Sequence, residues 1–213
     1  MEKFTTVKSV AAPLLENAID TDVIFPARFL LLLDREGLGR YAFSERRNGP
    51  EPFVLDTPPY DTAKILVTGE NFGTGSSREQ AVWTIADLGI RCVIARSFGE
   101  IFFANCFKNG VLPVRLGGDD MAAVERAAEA AEEITIDLEA QSIRLSSGRE
   151  IRFDIEPNLK RLLLLGLDEV GMILAEDGDA IKAFEARRKA DQPWMSIGIE
   201  KLHALAEEQD KNG

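Results

Sequence analysis

Glu70-Asn71-Phe72-Gly73-Thr74-Gly75-Ser76-Ser77-Arg78-Glu79-Gln80 is the stretch on which the reading of this chain turns. Just before it, residues 64–68 (Lys-Ile-Leu-Val-Thr) form an apolar run of strand length. After it, Val82, Ile85 and Ala86 recur at helical spacing, and Gly89 stands where a helix C-cap belongs. The predicted local structure is a strand, a glycine-rich turn over residues 69–75, and a helix over residues 77–88.

The same order then repeats. Residues 92–95 (Cys-Val-Ile-Ala) predict a second strand, residues 100–108 a short helix stopped by Asn109-Gly110, and residues 111–116 a third strand. Alternating strands and helices favour a sheet covered by helices. Right-handed crossovers make such a sheet at least partly parallel. Farther on, Met121, Val124 and Ala128 share one face of a predicted amphipathic helix over residues 119–131. Residues 134–138, 143–145 and 151–155 alternate like antiparallel strands, and residues 159–165 and 179–189 read as helices. Residues 45–60, rich in Pro, Arg and Asn, read as a loop, and the charged tail from Glu200 is expected to fray. The fold class is α/β.

The turn carries chemistry of its own. The first turn of a helix presents unpaired N–H groups and the positive end of the macrodipole, which together attract an anion. Two hydroxyls, Ser76 and Ser77, and the guanidinium of Arg78 are added at that point. Arginine holds a carboxylate through two parallel hydrogen bonds. A serine alkoxide stabilised among N–H donors can take a proton from a carbon beside a carboxylate. Simpler assignments also fit. Ser76 and Glu79 match a Ser-x-x-Glu capping box. Gly73-x-Gly75 begins a dinucleotide fingerprint, but Arg78 holds its third glycine position, and no Gly-Lys-Ser/Thr of a Walker loop follows. Residue chemistry alone reaches an anion site at a helix start, where capping and catalysis are compatible.

Bulk properties narrow the classes. The 213 residues suffice for one large domain or two small ones, and 45% hydrophobic with 29% charged residues is ordinary for a soluble globular chain. A net charge of -11 argues against a nucleic-acid partner. The chain has two cysteines, Cys92 and Cys106, and one histidine, His203. That count argues against a self-contained zinc or iron–sulfur site and fits a reducing compartment. Met1-Glu2-Lys3-Phe4 lacks an apolar signal core, and the run Phe29-Leu30-Leu31-Leu32-Leu33 is too short to span a membrane. The expected location is the cytoplasm.

The quoted stretch resembles the signature of aconitase-type swivelling domains, Gly-x-Gly-Ser-Ser-Arg-Glu. Its flanks, Gly89-Ile90-Arg91-Cys92-Val93-Ile94-Ala95-Arg96-Ser97-Phe98 and Ile101-Phe102-Phe103-Ala104-Asn105-Cys106-Phe107-Lys108-Asn109-Gly110-Val111-Leu112-Pro113-Val114, are also similar to that family. So is the upstream motif Asn17-Ala18-Ile19-Asp20-Thr21-Asp22-Val23-Ile24-Phe25-Pro26-Ala27-Arg28-Phe29-Leu30. The length and layout, with Asp168-Glu169-Val170-Gly171 near the end, resemble the freestanding small subunits of 3-isopropylmalate dehydratase. The likeness covers residues 5–190. It implies a single swivelling domain over residues 1–213, with a core over 1–190 and a tail over 191–213. The implied architecture is a mixed β/α sandwich with a partly parallel sheet plus C-terminal helices.

That resemblance implies roles for individual residues. Ser76 becomes the alkoxide base. Ser77 and Arg78, with Thr74 and Gly75, bind the substrate carboxylate. Thr21 and Asp22 face the active site, Asp22 supporting a histidine of the partner subunit. A [4Fe-4S] cluster, the Lewis acid on the substrate hydroxyl, belongs to a separate large subunit, and Cys92 and Cys106 pack in the core rather than ligate it. The implied reaction interconverts 2-isopropylmalate and 3-isopropylmalate by dehydration and rehydration in leucine biosynthesis.

Leu31 falls where members of the family carry a substrate-selecting loop, so it is expected to contact an apolar substituent; core packing of these leucines is the competing assignment. Arg28 and Arg35 are each a second carboxylate ligand or a solvated charge, the latter being favoured. Isopropylmalate small subunits more often read Gly-Cys-Gly-Ser-Ser-Arg-Glu-His, and here Thr74 and Gln80 replace the cysteine and histidine. Citraconate and dimethylmalate therefore stand as alternative substrates, and a non-catalytic carboxylate-binding module as an alternative role. The isolated chain is expected to self-associate through apolar surface meant for its partner.

Overall fold

The strands predicted around the glycine-rich turn lie side by side in a computed structural model that describes residues 1–32, 35–75 and 78–196. Among the described residues seven strands form one sheet: β1 (Thr6–Leu14), β2 (Ile65–Thr68), β3 (Cys92–Ala95), β4 (Leu112–Arg115), β5 (Glu133–Asp137), β6 (Ser142–Arg144) and β7 (Glu150–Arg152). Their spatial order is β4-β3-β2-β1-β5-β6-β7. The pairs β1–β2, β2–β3 and β3–β4 are parallel, and β1–β5, β5–β6 and β6–β7 are antiparallel. The helices are α1 (Thr21–Ile24), α2 (Ser44–Arg47), α3 (Gln80–Asp87), α4 (Glu100–Lys108), α5 (Gly118–Glu129), α6 (Pro157–Leu165) and α7 (Glu169–Asp191). The expected mixed α/β architecture with a partly parallel sheet is the one observed.

Strand periodicity distributes the core over both faces of the sheet. Ile65 and Val67 of β2, Cys92 and Ile94 of β3, and Leu112 and Val114 of β4 join one cluster, which Met121, Val124 and Ala128 of α5 complete. Leu66, Val93 and Ala95 point the other way, onto Val82 and Ile85 of α3 and Phe102 and Cys106 of α4. All four residues of β2 and of β3 are buried, as strands covered on both faces must be. The predicted inward face of α5 is correct at each of its three positions.

The C-terminus of α3 follows its sequence signal closely. Gly89 takes φ +86, its N–H donates to Ala86 O at 2.9 Å, and Ile90 N–H donates to Ile85 O at 3.3 Å. These are the two bonds of a Schellman motif, which satisfies the helix's last carbonyls.

Three expectations need correction. First, residues 6–14 carry no predicted element, yet as β1 they are central to the sheet. Its first half pairs antiparallel with β5 (Thr6 with Asp137, Val10 with Glu133) and its second half parallel with β2 (Ala11 with Ile65, Leu14 with Thr68). Serving different partners on different stretches, β1 shows no clean alternation, and its burial is correspondingly irregular. Second, residues 45–60 are not loop throughout: α2 and a 3-10 turn at Val54–Asp56 put Ser44 and Leu55 in the interior. Third, the helix predicted over residues 179–189 runs as α7 from Glu169 to Asp191, past Gly171 and Gly178, with Val170, Ile173, Leu174 and Phe184 exposed. The chain divides into two compact units, Met1–Glu169 and Val170–Gly213, and the turn with its surroundings lies in the first. His203 and the tail from Glu200 fall outside the described residues.

Candidate functional site

The glycine-rich turn is held on both sides. On one side Ala18 N–H donates to Glu70 O at 2.7 Å, Gly73 N–H to Ile19 O at 2.7 Å, and Thr21 N–H to Thr74 O at 3.0 Å. Asn17 adds its side chain, whose Oδ1 accepts from Glu70 N–H at 2.7 Å. On the other side Phe72 N–H reaches Ser97 O at 3.1 Å, Gly99 N–H reaches Phe72 O at 2.9 Å, and Ser97 Oγ accepts from Asn71 N–H at 2.8 Å. The turn is thus stitched to the segment after β1 and to the segment after β3, at the carboxyl ends of adjacent parallel strands. Open α/β sheets bind their ligands at such strand ends.

Below the turn, Phe72 is fully buried and meets Phe102 edge-on, with ring centroids 5.3 Å apart. This anchor explains a glycine. At Gly73, φ is +71, and a Cβ placed there would stand 2.2 Å from Cγ of Phe102. Gly75 has φ +95 and lies against Thr21; a Cβ there would meet Thr21 Oγ1 at 3.8 Å. Both positions need a residue free of the left-handed penalty, and at Gly73 no side chain fits.

Arg78 emerges just before α3 and is fixed end-on by Asp22: Nη1 donates to Oδ1 at 2.7 Å and Nη2 to Oδ2 at 3.0 Å. The hydrogen bond from Arg78 is the main cause that holds the Asp22 carboxyl below the usual carboxylate range. Asp22 rides on α1, whose N-cap, Asp20, accepts from Val23 N–H at 2.8 Å. Beside it Thr21 is buried, and among the described residues its hydroxyl finds no hydrogen-bond partner. A buried orphan hydroxyl costs about 1–3 kcal/mol, so it marks a place where a partner is wanted. Thr21, Asp22, Thr74, Gly75 and Arg78 are therefore brought together. Ser76 and Ser77 lie between them in sequence but outside the described residues.

Ser76, one half of the expected capping box, lies outside the described residues, and the Glu79 half departs from the expected position. The helix starts at Gln80, so Glu79 sits at its N-cap rather than at its third position, and its Oε1 accepts from Asn109 Nδ2 at 2.8 Å. Leu31 is 90% exposed, which rules out the core assignment for it. It borders a surface cavity of about 420 Å³ with Leu32, Leu38 and Tyr41. Arg28 is tied to Glu45 and to Ser44 Oγ and lies over the Phe29 ring, while Arg35 stacks on Trp83 at 4.3 Å. Each is partly neutralised or stacked within the chain rather than simply solvated. Cys92 and Cys106 are fully buried, and burial pushes both thiols up. They pack in the two cores, as expected.

Comparison with known proteins now bears on this geometry. Residues 1–118 match the aconitase C-terminal domain, and residues 121–157 match a model described as LeuD_N. Residues 176–197 match the C-terminal domain of 3-isopropylmalate dehydratase small subunits. The 3-isopropylmalate dehydratase small subunit of Azorhizobium caulinodans is 48% identical over 205 residues, covering 92% of this chain and all of the relative. The chain belongs to the 3-isopropylmalate dehydratase small-subunit family. The family member of Afipia carboxidovorans is 50% identical over 204 residues, again with 92% of this chain and all of the relative covered. A crystal structure of 3-isopropylmalate dehydratase from Methanocaldococcus jannaschii superposes with a TM-score of 0.64 at 27% identity, covering 84% of this chain and 99% of that one. The family resemblance read from residues 70–80 and their flanks is borne out.

What the residues missed is the network rather than the motif. Asn17 and Ser97 hold the turn, and Asp22 holds Arg78, across 53, 26 and 56 residues of chain. Each is a short polar residue near a glycine or a helix start, a type that bonds backbone in turns, but the sequence does not name the partner.

Proposed function

We propose that this chain is the small subunit of a hydro-lyase of the 3-isopropylmalate dehydratase type, which acts with a large subunit on a small dicarboxylate. The observation that carries the reading is the convergence of Arg78, the Gly73 and Gly75 turn and the buried Thr21 hydroxyl, unpaired among the described residues, at the carboxyl ends of the parallel strands, in a chain of this family. The reaction assigned to it is the interconversion of 2-isopropylmalate and 3-isopropylmalate in leucine biosynthesis, in the cytoplasm. Among the described residues no helix is long and apolar enough to cross a membrane. Functionally, residues 1–213 are read as one swivelling domain with a core over residues 1–190.

On this reading Arg78 and Ser77 grip the substrate carboxylate beside Thr74 and Gly75, and Ser76 is the base. Ser76 Oγ takes the proton from the carbon next to that carboxylate. The C–H electron pair becomes the new C=C bond as the C–O bond of the neighbouring carbon breaks and its hydroxyl departs. The departing hydroxyl takes up a proton and leaves as water; water then adds in the opposite sense, its hydroxyl to the carbon that lost the proton and its proton to the carbon that lost the hydroxyl. Thr21 and Asp22 support the turn, and Leu31 contacts the apolar substituent.

An aconitase-type [4Fe-4S] cluster does not fit this chain. Such clusters are held by cysteine thiolates, and the two cysteines here are protonated, buried and in different cores. The reading places the cluster on the large subunit, and no step on this chain runs through it.

The test is turnover of the purified heteromeric enzyme, both subunits present, with its cluster reconstituted. Ser76→Ala is expected to lower kcat by about 10²–10⁴-fold, the usual share of a general base; near wild-type turnover would remove Ser76 from that role. Profiling isopropylmalate, citraconate and dimethylmalate settles the substrate, where Thr74 and Gln80 depart from the common family pattern. A colourless chain that binds carboxylates alone, without a brown partner, would favour the non-catalytic module.

A further inference from the structure

We propose that Asp22 is a positioning residue that acts through Arg78, fixing the plane of its guanidinium before substrate arrives. The inference rests on the reading of Arg78 as the carboxylate clamp. Beside the expected target of Asp22, a histidine on the partner subunit, it gives Asp22 a target on this chain.

Asp22 and Arg78 are 56 residues apart, yet they meet beside the same turn. On the Asp22 side, α1 is capped by Asp20, and Thr21 N–H donates to Thr74 O at 3.0 Å. Asp20 and Thr74 are also bridged like adjacent parallel strands. On the other side Arg78 follows the same turn by three residues beyond Gly75. The ion pair joins the two, with Nη1 on Oδ1 at 2.7 Å and Nη2 on Oδ2 at 3.0 Å. Two parallel bonds between two planar groups set an orientation as well as a position. A single contact would set position alone.

Arginine has a long stem with many rotamers, and its planar fork grips a carboxylate well only when correctly turned. Holding it in advance removes ordering that substrate binding would otherwise have to supply. The pair adds little as a stability device, because the Asp22 side chain is 54% exposed and exposed pairs contribute little. A carboxylate is ionised across the neutral range, and the Arg78 hydrogen bond only lowers the pH at which Asp22 takes up a proton. Asp22 touches no reacting atom in this account; its effect passes through Arg78.

The experiment is a double-mutant cycle on the reconstituted heteromeric enzyme, using Asp22→Asn, Arg78→Lys and the double variant, with kcat and KM measured separately. Arg78→Lys keeps the charge and removes the fork. Asp22→Asn is expected to lower kcat/KM by about 10–100-fold, the scale of an ångström-level misplacement, with KM carrying most of the change. Added to Arg78→Lys, it is expected to lower kcat/KM by less than about threefold further, since coupled residues are not additive. The proposal is overturned if Asp22→Asn leaves KM within about twofold, or if the two penalties multiply in full. If Arg78→Lys itself leaves kcat/KM unchanged, the clamp reading has failed instead. Should Asp22→Asn not assemble with the large subunit, Asp22→Glu runs the same cycle: a raised KM that vanishes in the Arg78→Lys background supports the brace, and an unaltered KM refutes it.

Discussion

Gly73→Ala tests whether the turn is shaped by Phe102. Two costs add at this position. An L-residue at φ +71 carries the left-handed penalty, about 1–2 kcal/mol. The new Cβ would also lie 2.2 Å from Cγ, 2.6 Å from Cδ2 and 2.7 Å from Cβ of Phe102. Those atoms belong to a side chain that is only 2% exposed and packed edge-on to Phe72, so it cannot swing aside, and forced overpacking costs about 1–3 kcal/mol. The sum is about 2–5 kcal/mol. Gly89→Ala is the matched control, because Gly89 has φ +86 and nothing within 4 Å of a built Cβ. It should cost the conformational part alone, about 1–2 kcal/mol. Equilibrium urea denaturation of the isolated chain compares the two through their midpoints at a common slope. Gly73→Ala is expected to unfold at clearly lower urea than Gly89→Ala. Equal midpoints would show that Phe102 yields and that backbone strain alone explains the glycine.

Three further outcomes follow from the structure. Because both thiols are buried and held protonated, a thiol reagent should label neither Cys92 nor Cys106 in the native protein and both after denaturation; rapid labelling of folded protein contradicts the burial. The folded carboxyl of Asp22 titrates below its unfolded value near 3.9, so the stability it contributes is complete above that pH and lost as pH falls through the lowered value. Asp22→Asn should therefore lose less stability than wild type as pH falls below about 4 in thermal melts; parallel losses would dismiss the linkage, whose size at such an exposed pair is under about 1 kcal/mol. Tyr60 donates its hydroxyl to Ala128 O at 2.8 Å, at the end of α5. Tyr60→Phe should cost about 0.5–1.5 kcal/mol by urea denaturation, and a stability gain would mean that the bond contributes nothing.

Much of the fold is open to inspection in the residues. The strands β2, β3 and β4 read as short apolar runs because both of their faces are covered, so Ile65, Leu66 and Val67 need no alternation. The helix α3 ends where Gly89 says it should, since a left-handed cap is a local requirement written in one residue. Its start differs from the predicted one for the opposite reason. As residue types Ser76 and Glu79 fit the capping pattern, but the helix begins at Gln80, and the Glu79 carboxylate accepts from Asn109, 30 residues on. β1 escapes because its two halves answer to two partners, β5 and β2, neither of them nearby in sequence. Leu31 suits a core or a surface equally well as a residue type, and only the folded chain puts it at the surface.

The amino-acid sequence by itself determined the α/β class, the glycine turn at a helix start and the family. These depend on short-range rules of backbone conformation, spacing and motif, densest within residues 64–114 and supported by the motif at residues 17–30. Only the tertiary structure decided what holds the turn and what holds Arg78. Asn17, Ser97, Phe102 and Asp22 reach it from 26 to 56 residues away. A hydrogen bond or a contact depends on distance and angle in space, and neither is set by the residues that form it until the sheet has brought its strand ends together.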